Sequence, residues 1–331
     1  MRKWGSRRGW RLILLMLAVS SVAMPKPVQA KFDPRDPLGV MRSKARAVSI
    51  EVAPGNWGRA DPGDIRTLLE SVAREFLQYA PGFRNDLVLR VVPRSDAPRV
   101  LYERGVGGEY IIQLTARDQR WFQYAYQFAH ELCHIASNFD HKEVTGDGVA
   151  QGNQWFEEAL CETASLFTLK RLAASWESNP PRRDWAGYGE AFAAYARTLL
   201  SEPHRQLEKN ESLGDWYAEH ADSLREDPYL REKNEVVATA LLPLFEGQPQ
   251  FWQAITHLNP SRASAGKTFG DYLADWYATC PDKALPAEVM RRFGFDPDRP
   301  PSARASANVK VQELVDVATP RDLGASGPIG E

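Results

Sequence analysis

The first part of the chain carries strand-like and helix-like patterns of apolar residues in turn. Residues 47–54 and 86–93 are short, β-branched runs with partial alternation of apolar and polar positions, which is typical of strands. Between them, residues 64–83 place apolar residues at helical spacing and predict a helix. Residues 99–116 predict a hairpin that turns at the glycine-rich stretch 105–108. These patterns indicate a small, mainly antiparallel sheet that carries one helix.

After Thr115 the apolar pattern changes to helical spacing and keeps it. Residues 118–138 form one long apolar helical pattern, a polar loop with several glycines follows, and residues 155–176 form a second long pattern. Shorter helical patterns, separated by breaks that contain proline, follow near residues 187–205, 211–225, 233–257, 269–278 and 286–293. A sheet followed by a series of helices predicts an α+β fold.

The first thirty residues have the layout of a secretory signal peptide. A basic start is followed by an uncharged apolar run, residues 12–24, and small residues stand at the cleavage positions Val28 and Ala30. We therefore expect cleavage after Ala30. The apolar run is short for a membrane span, but short runs can serve as anchors, so an uncleaved anchor is the alternative.

The remaining chain divides into three predicted segments. Residues 31–153 form an N-terminal α+β subdomain that contains the first long helix, and residues 154–297 form a helical subdomain. Residues 298–331 are polar and rich in Pro, Ser and Ala, which predicts a mostly disordered tail.

The charge balance limits the classes of partner. The chain has 41 basic and 43 acidic residues, and six of the basic ones lie in the predicted signal peptide, which has no acids. Its removal would leave 35 basic against 43 acidic residues, a net charge of −8. Such an acidic protein is a poor candidate for binding nucleic acid or an anionic membrane. No later run is apolar enough for a stable membrane span, so we expect a soluble exported protein, either periplasmic or secreted.

The first long helix contains the sequence HELCH, residues 130–134. Positions i and i+4 lie on one face of an α-helix, so His130 and His134 can direct their imidazoles at a common point. Glu131 is one residue along, close enough to reach a water molecule on a metal without being a ligand. This H-E-x-x-H pattern predicts two zinc ligands and a general base. The alternative is a chance match, with two histidines that form hydrogen bonds inside the core.

A zinc enzyme needs a third protein ligand and an open fourth position. The candidates are Glu158 near the start of the second long helix, Asp140 and His141. Glu158 and Glu162 are four residues apart on an otherwise apolar helix, where acids are costly unless they have a function. We choose Glu158 as the ligand and expect Glu162 to orient a ligating histidine. The alternative is that Glu157 and Glu158 are solvated acids favoured by the helix dipole.

Residues 130–134 together with WFEEALCE, residues 155–162, resemble the gluzincin zinc metallopeptidases, which include the thermolysin-like and aminopeptidase N-like enzymes. In these families a glutamate on the next helix completes the H-E-x-x-H site. Trp155 to Glu158 match the W-x-x-E pattern of the aminopeptidase-like branch, and Glu162 matches the supporting acid of the thermolysin-like branch. The resemblance implies a zincin-like fold, a Zn²⁺ cofactor, and a peptide or protein substrate lying along the last strand, residues 108–116.

Some expected features have no match in the sequence. There is no G-x-M-E-N stretch for binding an N-terminal amine, so the sequence does not support an aminopeptidase. A metzincin would need glycine at Ser137 and a third ligand at Asp140. The usual proton donor has no recognisable motif. The candidates in the helical half are Tyr188, Tyr195, Tyr217 and His220.

The three cysteines, Cys133, Cys161 and Cys280, are too few for a disulfide framework, and no CxxC pair is present. Cys133 and Cys161 lie on the two helices that carry the motif, so they can form a disulfide in an exported protein or remain buried thiols.

These observations predict an exported zinc metallopeptidase in which Glu131 is the base and His130, His134 and Glu158 hold the metal. Two alternatives belong to other classes. One is an exported binding protein on a degenerate peptidase fold, and the other is a zinc hydrolase with a non-peptide substrate.

Overall fold

The computed structural model describes residues 48–83, 86–141 and 152–298. The predicted signal peptide and the predicted tail beyond Asp298 lie outside the described residues, as does most of the loop between the two motif helices. All described residues belong to one compact unit of the chain.

The sheet has four strands and is mixed. The strands are β1 (Ser49–Val52), β2 (Val88–Pro93), β3 (Arg99–Val100) and β4 (Tyr110–Leu114). Their order is β1-β2-β4-β3, in which β1–β2 and β2–β4 are parallel and only β3–β4 is antiparallel. The prediction of a mainly antiparallel sheet was therefore wrong. Strand direction depends on the path of each connection, and a helix between β1 and β2 returns the chain to the same end of the sheet.

The predicted hairpin exists, and it forms the edge of the sheet beside the motif helix. Val100 is opposite Ile112, and the N–H of Leu101 donates to the carbonyl of Ile111 at 2.9 Å. The chain turns through Gly108, whose φ of 81° is a conformation that glycine adopts without strain. As a result, β4 has a neighbour on each side, and β3 is the outer strand.

Eight α-helices are present among the described residues, close to the predicted positions. They are α1 (Pro62–Leu77), α2 (Trp121–Ala136), α3 (Gln154–Ser178), α4 (Gly189–Leu200), α5 (Leu213–Glu226), α6 (Arg231–Gly247), α7 (Phe269–Thr279) and α8 (Ala284–Arg292). Short 3₁₀ helices connect several of them, including Pro203–Arg205 and Phe139–His141. Together with the sheet they form an α+β fold. None of the described helices is long and apolar enough to span a membrane.

The helices α2 and α3 carry the predicted site residues and pack against each other. The hydroxyl of Ser165 on α3 donates to the backbone carbonyl of Tyr126 on α2 at 2.9 Å, which fixes a close approach. The last turn of α2 is followed by Asn138, with a φ of 58°, in the left-handed conformation that often ends a helix. One continuous core runs from Ile50 in the sheet to Phe293 after α8, so the sheet and the helical half support the same site.

Candidate metal centre

Three side chains of the two motif helices converge on one point. The Nε2 atom of His130 lies 3.1 Å from Oε2 of Glu158, and the Nε2 atom of His134 lies 3.4 Å from the same oxygen. His130 and His134 are one turn apart on α2, and Glu158 is in the second turn of α3. Their ligand atoms all lie within 4.8 Å of one another.

This geometry suits a tetrahedral metal ion. Four ligands at about 2.0–2.1 Å from a zinc ion lie about 3.3–3.4 Å from one another. The observed separations of 3.1 and 3.4 Å between the imidazole nitrogens and the carboxylate oxygen are close to that value. Two imidazoles and one carboxylate are also a common donor set for zinc. These groups could therefore hold a metal ion.

A buried carboxylate fixes the ring of His134. The Nδ1–H of His134 donates to Oε1 of Glu157 at 2.6 Å, and both side chains are almost fully buried. With the proton on Nδ1, the lone pair of Nε2 is directed at the candidate metal position. Glu157 is therefore not a solvated acid at the start of a helix. It has the orienting contact that we predicted for Glu162.

Glu157 is itself held by other buried donors. The hydroxyl of Ser137 donates to its Oε1 at 2.8 Å, and the side-chain amide of Asn259 donates to its Oε2 at 2.8 Å. The hydroxyl of Tyr272 donates to the amide oxygen of Asn259 at 2.9 Å. Because each group is fixed by the next, the orientation of His134 is determined by a chain of hydrogen bonds that reaches α7.

Glu162 lies further along α3 and has different partners. Its carboxylate accepts a short hydrogen bond from the hydroxyl of Tyr126 and another from Nη1 of Arg205 at 2.8 Å. Tyr126 is one turn before His130 on α2. Glu162 therefore faces Tyr126, which is one turn from His130. The residue that contacts His134 is Glu157, not Glu162.

Glu158 is held in place by Gln154, one turn earlier on α3. The side-chain amide of Gln154 donates to Oε1 of Glu158 at 2.8 Å, which leaves Oε2 facing the two histidines. Burial opposes ionisation of Glu158, but the neighbouring imidazoles of His134 and His130 outweigh it and hold the pKa of this carboxyl well below its usual value. Glu158 is therefore ionised, as a metal ligand must be.

Glu131 lies beside the same point, and its side chain is only 3% exposed. Burial raises the pKa of Glu131, while the neighbouring histidines and a hydrogen bond from the backbone N–H of Val100 oppose this rise. Val100 is in the edge strand β3. The predicted base is thus placed between the motif helix and the sheet edge.

The other candidate ligands have partners of their own. Asp140 accepts two hydrogen bonds from Arg104, at 2.6 and 2.9 Å, and one from the hydroxyl of Tyr110 at 3.2 Å. The Nδ1 atom of His141 lies 2.9 Å from the carbonyl of Asn259. Neither residue joins the group formed by the two motif histidines and Glu158.

A cavity of about 420 Å³ opens onto these residues. Residues 97–100 of the edge-strand region form one side of it, and the motif residues of α2 and α3 form another. Tyr229, Arg231 and Asn234, at and just before the start of α6, form a third side. Sequence reasoning missed the α6 side, because these residues are about 100 positions from the motif and have no spacing signature.

The four predicted proton donors do not line this cavity. Tyr188 donates from its hydroxyl to the backbone of Gln119, and Tyr195 packs against Phe122. Tyr217 is stacked on Trp155, and His220 is stacked on Trp216. Tyr229, which is 62% exposed, is one of the tyrosines that line the cavity.

Cys133 and Cys161 are buried in contact with each other behind the candidate metal site, and they are thiols, as is Cys280. Burial and the neighbouring Cys133 raise the pKa of Cys161 well above its usual value, so Cys161 is a protonated, unreactive thiol. Of the two alternatives for this pair, the structure has the buried thiols.

Neither comparison with known proteins identifies a relative, since no protein-family model matches the chain and no curated protein matches it significantly. The candidate function therefore depends on the site itself.

Proposed function

We propose that this protein is a zinc metallopeptidase of the zincin type. The observation that carries the proposal is the convergence of His130, His134 and Glu158 in a cavity that also contains Glu131. The Nε2 atoms of the two histidines lie 3.1 and 3.4 Å from Oε2 of Glu158. One buried and one half-buried histidine, an ionised glutamate and a second, buried glutamate would be costly to maintain without a metal to serve. With a metal, each of the four residues has a defined task.

When bound, zinc lowers the pKa of a coordinated water molecule to about 7 and polarises a substrate carbonyl. Glu131 takes the proton from the attacking water and passes it to the leaving amine. Its position in the same cavity as the candidate metal ligands suits this task. Glu157 keeps His134 in the tautomer that presents Nε2 to the metal.

The edge strand β3 offers the docking surface for a peptide. In the antiparallel pair, Leu101 bonds to β4, so the backbone N–H and C=O of Val100 face the opposite side, where Glu131 lies. Because the N–H of Val100 already donates to Glu131, an extended peptide would add to this edge through the carbonyl of Val100. The predicted docking strand, β4, has strands on both sides, so we move the proposed docking surface to β3.

The first test is the metal content of the purified protein and of its Glu158→Ala variant, measured by mass spectrometry. We expect about one zinc per chain in the parent and a greatly weakened site in the variant, because two histidines alone make a poor zinc site. Glu177→Ala is the matched control, since Glu177 is an exposed glutamate on the same helix. Full zinc in Glu158→Ala, or none in the parent after zinc is added, would contradict the proposed ligand set.

The second measurement separates binding from chemistry. Glu131→Gln should keep its zinc and lose at least about 100-fold in kcat/KM on peptides, since it keeps the shape of the side chain but cannot take a proton. A zinc-loaded parent protein that cleaves no peptide would favour a hydrolase of another substrate or a binding protein.

A further inference from the structure

Arg231 lines the same cavity as Glu131 and Glu158, on the side formed by α6. Its Nε donates to Oε1 of Glu235 at 2.7 Å, which fixes one edge of the guanidinium. The rest of the side chain is open, with a relative exposure of 70%. An arginine held through Nε presents its two terminal nitrogens in a fixed plane, the arrangement that binds a carboxylate through two parallel hydrogen bonds.

Arg231 is not the only basic side chain that balances the charge of Glu235. Nη2 of Arg205 lies 2.8 Å from Oε1 of Glu235, and Nε2 of His204 lies 2.5 Å from Oε2. Glu235 therefore has three basic neighbours, of which Arg231 is the most exposed.

Arg231 shares one cavity with the candidate metal ligands. A substrate held at the metal would therefore lie in the same cavity as the guanidinium, and a carboxylate on that substrate could reach it.

We propose that Arg231 is a specificity-determining residue that binds a substrate carboxylate, so that the protein prefers peptides that carry a carboxylate. This inference rests on the proposed peptidase function. The carboxylate has two sources, the free C-terminus of a peptide or the side chain of an aspartate or glutamate.

The experiment uses three pools of randomised hexapeptides, with cleavage sites and rates read by mass spectrometry. One pool has free C-termini, one has amidated C-termini and no acidic residues, and one has amidated C-termini with Asp and Glu included. The zinc-loaded parent is compared with Arg231→Met, Arg231→Lys and the control Arg225→Met, which removes an exposed arginine that does not line the cavity.

We expect the parent to cleave carboxylate-bearing peptides at least about tenfold faster in kcat/KM than uncharged ones, with the control unchanged. In Arg231→Met the ratio of the two rates should fall to about one, and Arg231→Lys should restore the preference only in part, because an ammonium lacks the planar fork. A preference for the free-terminus pool identifies the C-terminal carboxylate, and a preference within the third pool identifies the acidic side chain.

Two outcomes would overturn the inference, and they differ from each other. Equal rates on all pools, or a carboxylate preference that persists in Arg231→Met, would refute the role of Arg231 and leave the peptidase proposal intact. Cleavage of no pool by a zinc-loaded parent would remove the proposed function and this inference with it.

Discussion

Gln154 is almost fully buried at the start of α3, and its only hydrogen bond to a side chain among the described residues is the one to Glu158. By occupying Oε1, it limits Glu158 to presenting Oε2 to the histidines. Its own amide oxygen is buried with no partner in the described part of the chain. Burying an amide oxygen without a partner costs free energy. A role in orienting the candidate metal ligand Glu158 explains the buried Gln154 better than packing does.

Replacing Gln154 by leucine should therefore weaken zinc binding about 10- to 100-fold, the usual effect of losing a hydrogen bond to a metal ligand. The measurement is the zinc Kd by competition with a chelator of known affinity. Gln253→Leu, at an exposed glutamine, is the control. An unchanged Kd in Gln154→Leu would show that Glu158 holds its position without this contact.

At this scale the sequence predicted which side chains meet when they are on one helix. The spacing of His130 and His134 is local geometry, and so is their relation to Glu131. Whether Glu157 or Glu162 contacts His134 does not follow from the sequence around them. Both are on α3, and which of them meets His134 depends on how α3 crosses α2, a relation that helical periodicity does not contain.

At the scale of elements, the edge strand β3 is short, but it brings backbone groups to the glutamate that we propose as the base. Only the groups of alternate residues bond to β4, so those of Val100 are directed at the cavity. The N–H of Val100 donates to Glu131. This strand therefore supports the proposed base and the docking of a peptide at once.

Val100→Pro tests this role, because it removes one N–H and leaves the bonds to β4 in place. We expect kcat/KM to fall about 10- to 100-fold with zinc content unchanged, as a hydrogen bond to a charged group contributes about 1.5–3 kcal/mol. Val100→Ala, which shortens the side chain and keeps the N–H, is the comparison that isolates the backbone donor. Equal losses in the two variants would assign the effect to packing instead.

The positions of strands and helices followed from hydrophobic periodicity, and the helices α1 to α8 lie close to where the pattern predicted them. The relative directions of the strands did not follow from this periodicity. Alternating residues define the two faces of a strand, but parallel and antiparallel partners bury the same faces. The connection through α1 determines that β1 and β2 are parallel.

At the scale of the whole molecule, one arginine ties the helical half to the site. Arg205, in the short helix after α4, is wholly buried and pairs with Glu162 of α3 and Glu235 of α6 at 2.8 Å each. It also pairs with Glu202 at 2.9 Å. Because Glu162 also bonds Tyr126 of α2, this cluster links three helices at the cavity wall.

Arg205→Met should lower the free energy of unfolding by about 3–5 kcal/mol, because it leaves two buried carboxylates without their main cation. Denaturant unfolding measures this loss. The comparison is Arg197→Met, which breaks an exposed pair with Glu190 and should change stability by less than about 1 kcal/mol. Similar stabilities of the two variants would mean that water replaces the arginine in the cluster.

The sequence by itself determined the α+β class, the positions of the helices, and the placement of His130, Glu131 and His134 on one helix. These features depend on residues within a few turns of one another, where the geometry of a single helix or strand is sufficient. Only the tertiary structure decided the strand directions, the contact of Glu157 with His134, and the presence of Arg231 in the cavity. Each of these depends on segments far apart in the chain, and their relative placement is set by packing of the shared core.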